Sequence, residues 1–274
     1  MSRLLAYYSL LVWQIACHSQ PGLQIKVNTV DIETYSEANA AYIPQPILAR
    51  ANDASVYLRT RTSSCSGTYI QTISGPKIIT SAHCFDNAHE CRELKVYFAK
   101  PNRKAVIRAC AANSFRAHAE SDLAVFALAR PPPQEFKPLT LWTAPLHKPR
   151  AAFIIHYPRL NPRQAASINT RYVTGIDCYA ESAFSFYQRL VNALFFYGLA
   201  HTCDIAAGSS GAGLIDLETA KVLGVIWGDV LVYTDAGVQQ HSGATHYRYV
   251  RRFLSNQPLP AATLLNTVLG YLRD

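Results

Sequence analysis

The sequence predicts an all-β protein of two six-stranded antiparallel β-barrels with a C-terminal helix. Three observations lead there. Short runs rich in β-branched and aromatic residues recur along most of the chain, bounded by Gly, Pro, Asn and Ser, as strands are. The runs fall into two groups on either side of "RPPPQEFKP" (130–138), which cannot continue a ladder because proline has no N–H to donate. The 16 Tyr and 11 Phe suit pleated, half-buried surfaces better than a disordered tail. At 274 residues the chain is long for one domain, yet one domain or two fused barrels fits it.

Taken in order, Met1, Ser2 and Arg3 precede "LLAYYSLLVWQIAC", one basic residue before an apolar run of export-signal length. Residues 1–18 therefore read as a signal peptide or lipoprotein signal. The run is shorter than the roughly 20 apolar residues of a membrane span, and "HSQPG" ends it. Cys17 follows Ile15 and Ala16 as in a bacterial lipoprotein signal, where the cysteine becomes a lipid anchor; Gln14 stands where that pattern usually has leucine. With an ordinary signal peptide Cys17 is discarded. The expected location is secreted or in a bacterial cell envelope, a setting in which disulfides between the other six cysteines persist.

Residues 19–54 form an N-terminal arm without sustained periodicity, read as extended, which could be trimmed after Arg50. The first barrel, 55–138, contains "SVYLRT", "GTYIQTI", "KIIT", "LKVYFA", "AVIRAC" and "LAVFAL". The second, 139–255, contains "AAFIIHYP", "TRYVTGIDCY", "GAGLIDL", "KVLGVIWG" and "VLVYTD". Between them "AFSFYQRLVNALFFYG" (183–198) fits a helix or a strand pair equally, and "THYRYVRRFLSNQ" (245–257) reads as a strand turning into a terminal helix. The extension 256–274 ends in a short amphipathic pattern.

A hydrophobic fraction of 49% against 16% charged is enough for a packed core. The net charge of +8 comes from scattered Lys and Arg, with only "YRYVRR" (247–252) clustered, so nucleic acid is not an expected partner. "HCFDNAHEC" (83–91) brings two His and two Cys together, but its spacing matches no common zinc site, and no metal or organic cofactor is expected.

The chemistry centres on "CDIAAGSSGAGL" (203–214), where Ser209 and Ser210 compete for one role. A nucleophilic serine needs a base for its proton, and the base needs an acceptor on its far nitrogen. His83 in "IITSAHC" follows an apolar strand, and Asp122 opens the buried run "DLAVFAL". "CSGTYI…IITSAHC", "DLAVFAL" and "GSSGAGL", in that order, resemble the histidine hairpin, aspartate strand and nucleophile loop of the chymotrypsin-fold (trypsin-like) serine peptidases. "GVIWG" (224–228) is similar to the corresponding strand of the bacterial glutamyl-endopeptidase-like branch.

The resemblance implies a catalytic triad of His83, Asp122 and Ser210, with the N–H groups of Gly208 and Ser210 forming an oxyanion hole. It implies a Cys65–Cys84 disulfide; Cys178–Cys203 would tie the nucleophile loop to its neighbouring strand, and Cys91–Cys110 is the pair left over. Ser209 stands where trypsin-like zymogens carry the aspartate that pairs with the newly cut amine, so that activation is not expected. Asp204 is either a pocket acid selecting Arg or Lys or a shaper of its loop. Ile226 replaces the histidine of glutamate-specific members, and Trp227 and Gly228 line the groove for the substrate backbone.

The expected function is an exported, monomeric serine endopeptidase acting on a protein or peptide substrate, with activity that rises as the imidazole of His83 loses its proton. Two alternatives stand beside it. "AGSSG" also has the form of an esterase elbow with Ser209 as nucleophile and His241 or His246 as base, although the helical crossovers of that fold are missing from the first half. Ala212 and Leu214, in place of the usual Gly or small residue and Pro, leave room for a protease-shaped binding protein without catalysis.

Overall fold

The computed structural model describes residues 38–85, 88–100, 103–118, 122–144, 146–159, 171–189, 194–234 and 237–246. The segment expected to be an export signal, Cys17, "YRYVRR" and the expected C-terminal helix and extension lie outside these residues. Among the described residues no helix is long and apolar enough to cross a membrane.

The end of the arm is helical rather than extended: α1 spans Gln45–Ala54. Its proline sits in the first turn, where a missing N–H costs no hydrogen bond. Leu48, Ala51 and Ala54, three apart, bury one face, and the Ser55 hydroxyl closes the helix on the Ala51 carbonyl at 2.9 Å. Arg50 lies inside this helix and donates to the Thr219 carbonyl at 3.2 Å. Just before it, the buried Asn39 side chain accepts the backbone N–H groups of Gly175 and Ile176. The described part of the arm is thus built into the body of the protein.

The first sheet contains β1 (Ser55–Arg59), β2 (Ser64–Thr72), β3 (Gly75–Thr80), β4 (Lys95–Phe98), β5 (Val106–Ala109), β6 (Arg116–His118) and β7 (Leu123–Phe126), with α2 (Ala88–Glu93) between β3 and β4. The order is β5-β4-β1-β2-β3-β7-β6. An antiparallel bridge between Cys110 and Leu128, just past β5 and β7, joins the two ends, so six strands form a ring with β6 outside it. All six expected runs are strands here.

The second sheet contains β8 (Arg150–His156), β9 (Tyr172–Thr174), β10 (Tyr179–Arg189), β11 (Leu194–His201), β12 (Gly213–Asp216), β13 (Val222–Thr234) and β14 (Gly237–His246). Its order is β10-β11-β14-β13-β12-β8-β9, and β10 also pairs with β8, which closes a second ring of six. Residues 183–198 are therefore the strand pair. Three details differ from the sequence reading. "TRYVTGIDCY" is broken by a turn at Gly175–Asp177, with Asp177 at φ 54°, so it supplies the end of one strand and the start of another. "KVLGVIWG" and "VLVYTD" fall on one long strand, β13, with a bulge between Ile226 and Gly228 in which Trp227 is the extra residue of the ladder with β14. β14 gives no sequence signal because "GVQQHSGATH" is polar; its long ladder with β13 makes it a strand.

The crossover holds the halves together within three residues. Leu139 bridges to Ile70 of β2, and Leu141 bridges to Val222 of β13. The core is also shared. Alternate residues of β8 face opposite ways, Phe153 and Ile155 joining the cluster that fills the first barrel and Ala152 and Ile154 the cluster inside the second. That is why "AAFIIHYP" is apolar on both faces.

Candidate active site

His83 lies on a short 3₁₀ turn, Ala82–Cys84, immediately after β3. The Cys65–Cys84 disulfide fastens this turn to β2, and the Ser81 hydroxyl donates to the Ile226 carbonyl of β13 at 2.7 Å. Asp122 sits at the entry to β7 with φ 47°, a left-handed conformation that aspartate tolerates better than most residues. Its carboxylate is buried and grips His83 twice. Oδ1 accepts the His83 backbone N–H at 2.8 Å, and Oδ2 lies 2.6 Å from Nδ1. With Nδ1 engaged and the ring about 31% exposed, Nε2 is the nitrogen that faces outward chemistry.

The 206–210 loop is defined by its carbonyls. Five in succession are taken: Ala206 O by Ser209 N at 2.9 Å, Ala207 O by Arg159 N at 2.5 Å, Gly208 O by the Ser66 hydroxyl at 2.7 Å, Ser209 O by Ala212 N at 3.0 Å, and Ser210 O by Ser66 N at 2.9 Å. A peptide is planar and trans, so fixing a carbonyl fixes the following N–H to point the opposite way. Fixing Ala207 O and Ser209 O therefore aims the N–H groups of Gly208 and Ser210, and among the described residues neither meets a protein acceptor. Gly208 has φ 93°, and a Cβ there would stand 2.7 Å from the Tyr157 carbonyl oxygen. Gly211 has φ 87°, and a Cβ there would overlap Thr80 Oγ1 and the Ser66 carbonyl. Both glycines are required by backbone conformation and by space.

The two serines separate cleanly. Ser210 is partly exposed, and its carbonyl oxygen lies 3.9 Å from Sγ of Cys84, the neighbour of His83; among the described residues its hydroxyl makes no hydrogen bond. Such contacts are often open in unliganded enzymes. Ser209 is fully buried, its hydroxyl accepting Ala206 N at 3.0 Å and lying 2.7 Å from Nδ1 of His156. A buried, engaged Ser209 does not fit the esterase elbow, and the named strand pairs are all antiparallel.

The trypsin-like peptidase domain model matches residues 65–225. The chain belongs to that family. This trypsin-like peptidase is by membership a serine endopeptidase, a hydrolase. No curated protein matches its sequence. Among solved structures it is similar to an M. tuberculosis protease in its inactive form (20% identity, 80% of this chain and 96% of that one, TM-score 0.53). It is also similar to a Glu endopeptidase (17% identity, 76% and 92%, TM-score 0.52) and to Deg5 (15% identity, 79% and 92%, TM-score 0.51). These likenesses carry the chymotrypsin-like fold.

Among the described residues the peptidase has three disulfides, Cys65–Cys84, Cys91–Cys110 and Cys178–Cys203. Cys84 and Cys91 are thereby removed as thiolate ligands from "HCFDNAHEC". Ile226 is fully buried in the core of the second barrel, and Trp227 is buried beside it on β13; Gly228 continues that strand. Asp204 is exposed, next to the bridged Cys203, and partial burial together with the nearby Asp177 raises its carboxyl above the ordinary aspartate range. Sequence reasoning missed Ser66, Arg159 and His156. Only His156 left a trace, as a lone polar residue in "AAFIIHYP".

Proposed function

We propose that this peptidase cuts protein or peptide substrates with Ser210 as nucleophile. His83 takes the Ser210 proton as the hydroxyl attacks the peptide carbonyl, then gives it to the departing amine. Asp122 keeps the proton on Nδ1 so that Nε2 is the basic nitrogen, and it stabilises the imidazolium when it forms. The Gly208 and Ser210 N–H groups receive the oxyanion; one such donor typically contributes about 3–4 kcal/mol to the transition state. Water then releases the serine acyl-enzyme, and no metal or organic cofactor enters any step.

The observation that carries this reading is the loop with five taken carbonyls and two untaken N–H groups, beside a His83 held at two points by a buried carboxylate. Export is supported by the N-terminal apolar run and by three disulfides, which persist in oxidising compartments. The enzyme is a monomer, secreted or held in a bacterial cell envelope through Cys17. Trp227 and Gly228 line its substrate groove.

The test is to expose wild type and Ser210→Ala to a diverse peptide library and read the cleavages by mass spectrometry. Wild type is expected to cut and the variant to lose about 10⁴-fold or more of the rate. Equal cleavage by both removes Ser210 from the mechanism, and binding without turnover by wild type favours a protease-shaped binding protein.

A further inference from the structure

We propose that His156 is a positioning residue: its ring ties Ser209, the neighbour of the nucleophile, to Thr174 and so holds the 206–210 loop in its donor-presenting conformation. The inference rests on the serine peptidase reading above and says how that site is kept in shape.

The ring of His156, at the end of β8, is buried between two hydroxyls. Nδ1 lies 2.7 Å from Ser209 Oγ and Nε2 3.0 Å from Thr174 Oγ1. Ser209 Oγ accepts the Ala206 N–H, and in a neutral ring one nitrogen accepts while the other donates; with Nδ1 taking the Ser209 hydrogen, Nε2–H donates to Thr174. Burial lowers the imidazole to about 3, so the ring is neutral and both of its nitrogens are engaged without a charge. Protonating Nδ1 would strand the Ser209 hydrogen.

The far end of this chain is fastened too. The two N–H groups after Thr174, those of Gly175 and Ile176, donate to Asn39 in the N-terminal segment. At the position where trypsin-like zymogens use an aspartate and a newly cut amine, this molecule has a neutral hydroxyl–imidazole–hydroxyl lock. No proteolytic step is needed to complete it.

The test uses the full chain carrying His156→Asn, His156→Gln or His156→Phe. Asparagine preserves an acceptor where Nδ1 stands, glutamine preserves only a group where Nε2 stands, and phenylalanine preserves neither. The measurements are kcat and KM on a peptide that wild type cuts, the rate at which a fluorophosphonate labels Ser210, and the melting temperature. Gln and Phe variants are expected to lose about 10²-fold in kcat and in labelling rate together, the scale of one oxyanion donor, with KM nearly unchanged, while Asn retains most of both. Equal losses in Asn and Gln, or lower melting temperatures with full kcat in the folded protein, overturn the proposal.

If His156→Phe does not fold, Ser209→Ala removes the hydroxyl and leaves the ring in place. It is expected to lower kcat in the same manner, and an unchanged kcat overturns the lock. An active wild type with indifferent variants sinks this inference alone, whereas a wild type that neither cuts nor labels sinks the serine peptidase reading beneath it.

Discussion

His83 follows β3 and His156 is the last residue of β8, and each has its Nδ1 in a short hydrogen bond to an oxygen. The oxygens and the surroundings differ. His83 faces a buried carboxylate and keeps nearly a third of its ring exposed; His156 faces two hydroxyls and has almost none. A carboxylate partner and access to water let an imidazole gain and lose a proton during a reaction. Hydroxyl partners and complete burial hold it neutral. On the proposed mechanism, one kind of side chain serves as a base on one barrel and as a fixed spacer on the other.

The largest expected effect breaks the first half of that comparison. In Asp122→Asn the amide oxygen would keep the bond from the His83 backbone N–H, which places the NH₂ against Nδ1. Nδ1 must then accept, the proton moves to Nε2, and the ring can no longer take one from Ser210. A loss of about 10⁴-fold in kcat with an intact fold is expected from steady-state kinetics. A loss below about 10-fold would mean that Asp122 does not set the tautomer.

Next in size is the acid sensitivity that His156 confers. Its folded value is about 3, well below an unfolded imidazole near 6.5, so the unfolded chain takes up the proton first as pH falls. The stability linked to this group is present in full above about pH 6.5 and declines between there and about pH 3, by on the order of 5 kcal/mol. Denaturant unfolding of wild type and His156→Asn across that window checks this. The variant is expected to show a shallower decline, and parallel curves would mean that His156 does not titrate between the two states.

The same contrast explains what was legible in the sequence. Strand runs and the three motifs around His83, Asp122 and Ser210 are local patterns, and the structure places those patterns on the turns and strand ends where they were read. The triad's support was not legible. Ser66 acts through its backbone and hydroxyl on a loop 142 residues away, and Arg159 through a backbone N–H that has no side-chain signature. β14 is polar and exists by pairing, and α1 has only three apolar anchors in a short helix. Contacts made by backbone, or by a residue whose partner is distant in sequence, leave no pattern to read.

The smallest expected effect concerns a charge on the second barrel. A pocket acid that selects Arg or Lys needs to be sequestered, so that the incoming cation is its best partner. Asp204 is exposed, and the carboxyl nearest to it in effect is another acid, Asp177, brought alongside because the two aspartates flank the bridged Cys178 and Cys203. Its raised value means that the charged form is less favoured in the folded protein than in the unfolded one, so near neutral pH its charge weakens the fold slightly and that cost fades as pH falls. Asp204→Asn is expected to raise stability by a few tenths of a kcal/mol at most, given its exposure, and to leave the residue preferred before the cut unchanged. Cleavage profiling of both proteins against one peptide library checks this. Loss of an Arg or Lys preference in the variant would instead give Asp204 a direct part in substrate recognition.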